Sequence, residues 1–537
     1  MSARRSSAYL FVAAVVAYWL TQPGDRSEAE DVFSFAWGAE NGPVTQRIIS
    51  RQPLFIALHR ALYLLADGIG LDVRAYTIMR VVSCVASAGA LVLFHRLLVD
   101  RYAVAPNHAL IATAGLGVSY GFWRYAAEAE VYALAYVALL AALLVGTGGP
   151  LVGRRLAVTA GLGLLAFGVN YFNLIPLGLV IGAHTVCRPG LDTRARRTQL
   201  PRTLVTGGVI GAAAIMVSLV VWAIVDPADT GWSEWYQEET GGSFVPPMGE
   251  LAKAPVGIGQ NVLAGNFLFD LGPSRDILVD VFADKQLAEE LFAAEKVSGV
   301  VSGLALGTAV ATAVAAVALL IAARVGLLDR LRQSDLWPVL AWLIALFMII
   351  APSSAANPEA WAMILLPAWI LAARVVLPGV RRPELAIGFV VILAAHNLVG
   401  GWLYHRDSAH DYNAVGAAWF DENAGAHDLV LDPSPTFTRW VRYWTEADAA
   451  DTSVLAPPEV QAATTNALAA GHRVFVTDRF FDPPPSLRAG PDINELLAVT
   501  HSFCAGAAPV DHTEVGTLWQ LASTDADPAV RPLGCDQ

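Results

Sequence analysis

Apolar runs of roughly twenty residues alternate with short polar stretches from the start of the chain to about residue 403. Runs of that length match the hydrocarbon thickness of a bilayer when helical. They predict about eleven spanning helices, at roughly 7–20, 75–99, 107–123, 129–148, 156–170, 172–187, 203–225, 298–323, 336–351, 359–376 and 384–403. The run 53–66 is too short to span and is interrupted by His59 and Arg60, so it predicts a helix lying at the interface. Within the spans, Gly207/Gly211 and Gly303/Gly307 have the four-residue spacing that permits close helix contact. Gly161-Leu162-Gly163 has part of a dinucleotide fingerprint, but no strand precedes it, and it is discounted.

Two long polar regions interrupt this pattern. The loop 226–297 carries Trp232, Trp235, Tyr236, Phe244 and Pro246-Pro247, followed by stretches 250–270 and 277–296 with the pattern of short helices. Its aromatic residues suit interface anchoring or a groove for an acceptor. From about 404 the pattern changes again. Short apolar strands at 428–432, 473–478 and 517–521 alternate with helical stretches 411–424, 435–447 and 458–470. That alternation predicts a small α/β domain with a mostly parallel sheet. The chain is therefore expected to be an all-α polytopic membrane protein with a small C-terminal α/β domain. Residues 1–403 would form the membrane domain, with external loops 21–74 and 226–297, and residues 404–537 a soluble domain.

Composition agrees with that class. The chain is 55% hydrophobic and 15% charged, well below the charged share of a soluble domain. The formal net charge of −12 comes largely from the two polar regions, whereas arginines gather in short loops. There is no basic aromatic patch, so nucleic acid is not an expected partner. Arg4/Arg5, Arg96/Arg101, Arg154/Arg155, Arg188 to Arg202, Arg324 to Arg332 and Arg374 to Arg382 fall in alternate loops. This positive-inside pattern predicts a multi-pass protein of the cell membrane with a cytoplasmic N-terminus and an extracytoplasmic C-terminal domain. Ala8 to Leu20 could pass for a signal peptide, but Thr21-Gln22-Pro23 is a poor cleavage site, and an uncleaved first helix is expected. Cys504 and Cys535 share the C-terminal domain, where an oxidising compartment permits a disulfide.

The orientation gathers polar groups on one side. Glu28, Glu30, Asp31 and Arg51 belong to the first external loop. Arg124, Glu128 and Glu130 lie in the next outer turn, Asn170, Tyr171 and Asn173 in another, and Asn357 and Glu359 open the tenth helix. No histidine-rich set for zinc and no Ser/His/Asp arrangement accompanies them. Carboxylates with nearby arginines at a bilayer surface suit transfer of a group from a lipid-phosphate donor. A carboxylate can take the proton of an acceptor hydroxyl, and an arginine can neutralise the departing phosphate through paired hydrogen bonds. The simpler readings are helix capping for Glu128, Glu130 and Glu359 and snorkelling for Arg124.

The segment Phe122-Trp123-Arg124-Tyr125-Ala126-Ala127-Glu128-Ala129-Glu130-Val131-Tyr132-Ala133-Leu134 resembles one in bacterial relatives of the protein O-mannosyltransferases. These belong to the GT-C superfamily of polyprenyl-phosphate-sugar-dependent glycosyltransferases. An acidic residue ahead of a Pro-Leu-containing segment, here Asp31 and Pro53-Leu54, is a second similarity. The likeness covers roughly residues 8–185. Two departures are Arg51-Gln52-Pro53-Leu54 in place of a His-Pro-Pro-Gly type segment, and Asn170-Tyr171-Phe172-Asn173 in place of Asn-His.

The resemblance implies an inverting hexosyltransferase. It would pass a sugar, of mannose type by that likeness, from a polyprenyl phosphate embedded in membrane lipid to a protein, glycan or lipid acceptor. It implies Asp31 as general base with Glu30 as its alternate, Arg51 and Arg124 on the donor phosphate, and Glu128, Glu130, Tyr132, Asn170 and Asn173 organising the site. No cofactor is required; some members of the superfamily use a divalent metal, and no ligand set here demands one. Two other classes are weighed: a transporter or flippase of a lipid-linked substrate, which would need inverted repeats and mid-membrane charges, and an inactive receptor whose α/β tail binds.

Overall fold

A computed structural model describes residues 3–26, 31–41, 52, 54–182, 248–282, 287–333, 336–483, 493–522, 532 and 535, with isolated positions between 201 and 223. The expected span 203–225 and most of the aromatic stretch 226–247 lie outside the described residues, as do Glu28, Glu30 and Arg51. The chain forms two compact units. The first comprises 1–22, 38–265 and 303–402; the second comprises 23–37, 266–302 and 403–537.

The first unit is helical. Among the described residues, four helices are long and apolar enough to cross a membrane: Ala75–Asp100, Gly299–Ala323, Glu359–Gly379 and Pro383–His405. Ser7–Leu20, Tyr171–Ile181 and Trp337–Pro352 are shorter apolar helices, and Tyr120–Ala127 with Tyr132–Gly146 forms one bent pair. The expected interfacial helix is present as Phe55–Gly68.

Burial separates these helices by role. Tyr132–Gly146 is covered on almost every side, as a helix at the centre of a bundle must be. Gly299–Ala323 instead leaves Val300, Leu304, Val310, Val314 and Val317 open, an apolar face that only a lipid-like surrounding tolerates. Among the described residues, a Cβ added to its Gly303 or Gly307 meets nothing within 4 Å, and the same holds for Gly207 and Gly211. One glycine in close helix contact is Gly115, where an added Cβ would lie 2.0 Å from the Trp369 ring.

Where helices break, side chains take over the freed backbone groups, which apolar surroundings demand. At the break after Pro106–Val118, Asn397 donates from Nδ2 to the carbonyls of Val118 (2.7 Å) and Val262 (2.8 Å), and its Oδ1 accepts from the Ala264 N–H (2.9 Å). Ser119 Oγ donates to the Gly115 carbonyl (2.8 Å) and accepts from Trp369 Nε1 (3.0 Å).

The second unit is built on a five-stranded sheet: β1 (Leu429–Asp432), β2 (Asp448–Asp451), β3 (Val474–Thr477), β4 (Ala508–Thr513) and β5 (Gly516–Gln520), in the order β2-β1-β3-β5-β4. β2-β1-β3 is parallel, whereas β5 runs antiparallel to β3 and β4 to β5. The sheet is therefore mixed, not mostly parallel. The two-residue β4–β5 connection, Glu514-Val515, needs no crossover helix, which is why the last strands turn back.

Strand alternation sends Val430, Phe475 and Leu518 to one face with Phe420, Phe437 and Val441. Leu431, Val474, Val476 and Trp519 face the other side with Val460 and Phe481. Helices Tyr412–Asn423 and Pro435–Trp444 supply the first core, and Pro457–Ala469 the second, giving a three-layer arrangement. Cys504 and Cys535 form a disulfide at its C-terminal end.

Candidate functional site

In the first unit the motif residues sit at the sharpest feature of the helical bundle. Helices Tyr120–Ala127 and Tyr132–Gly146 meet at 111° across the four-residue break 128–131. Non-helical backbone survives at membrane depth only where protein or a polar cavity covers it, and here all four residues of the break are buried. All eight residues of Tyr120–Ala127 are buried too, with Arg124 in its last turn, the end at which the helix dipole favours a cation.

Glu128 does not cap a helix start. It closes Tyr120–Ala127 at its C-terminal end, with its N–H on the Arg124 carbonyl at 3.1 Å, where the dipole disfavours a carboxylate. It has no exposed surface. Tyr76 donates its phenol to Glu128 Oε2 at 3.0 Å, while Glu128 Oε1 has no hydrogen-bond partner among the described residues. An ionised carboxylate left half-satisfied in a buried site is costly. Glu130 is also buried and accepts from the neighbouring Val131 N–H at 3.4 Å, a local cap at most.

Arg80, one turn beyond Tyr76 on the same helix, donates from Nε to the Ala127 carbonyl (3.4 Å) and lies 5.3 Å from the Tyr76 ring. Tyr132 opens the next helix, with Tyr125 at 5.0 Å between ring centroids and Glu130 and Glu359 as electrostatic neighbours. Tyr76 and Arg80 were not singled out from sequence. The available signal was an arginine four residues from a tyrosine at the start of a long apolar helix.

Asn170 and Asn173 stand at the end of helix Gly153–Val169. Asn170 Oδ1 accepts from the Phe172 N–H at 3.0 Å and starts a short 3₁₀ turn. Asn173 is fully buried and donates to the Ala166 carbonyl at 2.8 Å. Beside them the Leu54 N–H donates to the Gly168 carbonyl at 2.7 Å, which ties the end of the first loop to this helix.

Asp31 belongs to the second unit and is held there by the C-terminal domain. Arg439 Nη1 contacts its Oδ1 at 2.6 Å. Phe33 is buried among Trp440 (5.9 Å), Tyr443 (5.7 Å, stacked) and Trp444 (5.9 Å). Trp37 receives the Arg442 guanidinium at 5.8 Å. The preceding residues are fixed separately. The Gly24 and Asp25 N–H groups donate to the His405 carbonyl (2.8 and 2.9 Å), and Asp25 Oδ2 meets His405 Nδ1 at 2.7 Å. Asn266 bonds His405 Nε2 on its other side. The Arg26 N–H donates to Asp411 Oδ2 at 3.0 Å. Burial, then the nearby Asp25 charge, pushes the Asp411 carboxyl up to about 7, against the pull of the Arg26 and Ala414 N–H groups.

The sheet has its own polar centre. Parallel sheets hold ligands at the carboxyl ends of strands where the connections diverge, and here that point lies between β1 and β3. Asp432 ends β1 and accepts from the Ser434 N–H (2.7 Å) and Thr477 Oγ1. Arg479 Nη2 approaches its Oδ1 at 3.4 Å and lies 4.9 and 5.5 Å from the Tyr412 and Phe437 rings. The chain's own guanidinium therefore occupies the crevice. Burial raises the Asp432 carboxyl above its usual range despite Arg479 and Thr477. Among the described residues no group of three or more His, Cys, Asp or Glu side chains is gathered to hold a metal.

No family model matches this chain, and no curated protein sequence does. Solved structures do. ArnT from Cupriavidus metallidurans, solved bound to undecaprenyl phosphate, aligns at 12% identity over 96% of this chain and 98% of that one, with a TM-score of 0.52. The oligosaccharyltransferase of Archaeoglobus fulgidus, solved with zinc and sulfate, aligns at 11% identity over 96% and 73%, TM-score 0.49. The arabinofuranosyltransferase AftD from Mycobacteria aligns at 15% identity over 98% and 40%, TM-score 0.41. The alignment with ArnT runs the length of both chains, through the helical unit and the sheet, and on it the chain has the GT-C fold.

Proposed function

We propose that this protein is a membrane glycosyltransferase that moves a sugar from a polyprenyl phosphate to an acceptor hydroxyl outside the cytoplasm. The observation that carries the reading is the buried, broken span at 128–131, which holds Arg124, Glu128 and Glu130 within a GT-C fold. A transporter reading expects charged, broken helices in corresponding positions of two repeated halves, whereas among the described residues there is one bent pair. The ArnT structure, which contains undecaprenyl phosphate, supports a lipid-linked donor.

The step is a direct displacement. The acceptor oxygen attacks the anomeric carbon as its proton passes to a carboxylate. The carbon–oxygen bond to phosphate breaks, and the polyprenyl phosphate leaves with the electron pair, so the anomeric configuration inverts. Asp31 takes the base role from the family resemblance, with Glu30 as alternate, and its half-exposed carboxylate can reach a hydroxyl. Arg51 and Arg124 are assigned to the donor phosphate on the same ground. Glu128, oriented by Tyr76, and Glu130, Tyr132, Asn170 and Asn173 shape the site. The first donor to test is a mannosyl phosphate lipid, and no step is routed through a metal.

Transfer from radiolabelled polyprenyl-phosphate sugars, mannose first, is measured in membranes containing the protein. Asp31→Asn should lower the rate at least a hundredfold, the range of general-base contributions, and Glu128→Gln should lower it about tenfold. Unchanged transfer by Asp31→Asn sinks the base assignment. Absence of transfer by the unaltered protein across a donor panel sinks the glycosyltransferase reading.

A further inference from the structure

We infer that the C-terminal domain is a working part of the transfer chemistry, and that Arg439 is a positioning residue for the Asp31 carboxylate. The inference deepens the reading above and rests on Asp31 as base. Helix Pro435–Trp444 presents two kinds of contact to the first loop. Trp440, Tyr443 and Trp444 enclose Phe33, which is 1% exposed, and this fixes the backbone two residues from Asp31. Arg439, on the same helix, then holds one oxygen of the carboxylate at 2.6 Å.

The division of labour follows from exposure. The aromatic contacts are buried and supply the stability of the clamp. The ion pair is not buried: the side chains of Asp31 and Arg439 are 51% and 33% exposed. Exposed pairs add little to folding. What this one does is restrict a side chain. A free aspartate samples several χ1 wells, whereas one oxygen anchored on a guanidinium restricts the direction of the other on a half-exposed side chain. Among the described residues no other side chain holds the Asp31 carboxylate. A general base contributes only when its oxygen meets the proton in the right geometry. The sheet domain thus carries the group that aims the base.

The test compares Arg439→Ala, Arg439→Lys and Asp31→Asn in full-length protein. Arg439→Ala should lower kcat at least tenfold with donor KM and melting temperature unchanged, and Arg439→Lys should recover to within threefold of the parent. Asp31→Asn inactive with Arg439→Ala within twofold of the parent overturns this inference alone. Asp31→Asn active overturns the base assignment and this inference with it. Equal losses in Arg439→Ala and Arg439→Lys, accompanied by a lower melting temperature, overturn positioning in favour of a structural role. A second measurement needs no turnover: carbodiimide labelling of Asp31 with glycine ethyl ester, read by mass spectrometry and normalised to the exposed Asp421. Labelling should rise at least threefold in Arg439→Ala, and equal labelling overturns the contact.

Discussion

Asp411 has no exposed surface, yet its carboxylate keeps two backbone N–H groups, those of Arg26 and Ala414. Its carboxyl titrates near 7 because burial and the Asp25 charge outweigh those bonds. The folded state therefore holds a proton that the unfolded state has already released. Stability from this group is fully present below about 4, the unfolded value, and is lost as pH rises toward 7. Asp411→Asn should flatten that slope: unfolding of the purified protein, followed between pH 5 and 8, should show less loss of stability in the variant than in the parent. A steeper slope in the variant would contradict the assignment. Such residue-level facts were only partly legible from sequence. The Phe122–Leu134 segment announced itself by composition and likeness. That Glu128 ends a helix instead of starting one depended on where the helix breaks, and Arg439 stands 408 residues from the carboxylate it meets. No local pattern reports a partner at that distance.

At the scale of elements, the long apolar helices were legible because each must satisfy its own backbone over the width of a bilayer. The strands β1, β3 and β5 were legible as apolar runs. The edge strands were not: β2 is Asp-Ala-Ala-Asp and β4 is Ala-Pro-Val-Asp-His-Thr. Both take their strand conformation from pairing to β1 and β5, not from intrinsic preference. The loop element that leads to Asp31 is fixed by a close backbone approach. A Cβ on Gly24 would lie 2.5 Å from the Arg406 carbonyl oxygen and 2.8 Å from the Ser408 nitrogen. Neither backbone atom can swing aside as a side-chain tip would. Gly24→Ala should therefore destabilise the second unit by about 1–3 kcal/mol and lower transfer, read as a drop in melting temperature and in rate. Gly303→Ala, on a face with open space, is the control that should do neither.

For the whole molecule, the arginine pattern predicts a sheet domain outside the cytoplasm, and the Cys504–Cys535 disulfide is a bond that an oxidising compartment permits. A reporter that is active only in an oxidising compartment, fused after Gln537, should be active. A fusion active only in the cytoplasm would undo the orientation. Reducing the disulfide, which closes a loop with a sequence separation of 31, should cost about 3–4 kcal/mol in the chain-entropy account, read as reductant-dependent melting of the domain.

The clamp around the first loop also sets an order of events during synthesis. Residues 23–37 leave the ribosome long before residues 435–444, so Phe33 has no cage and Asp31 no guanidinium until the helix ending at Trp444 has been made. At about 5–20 residues per second, the 408 residues between Asp31 and Arg439 take roughly 20–80 s. Throughout that interval the loop is an unfinished element carrying a loose acid and a bare aromatic. If Asp31 is the base, transfer should stay slow until the sheet domain has folded, and chains stalled short of Trp444 should be poorly active and sensitive to protease at the first loop.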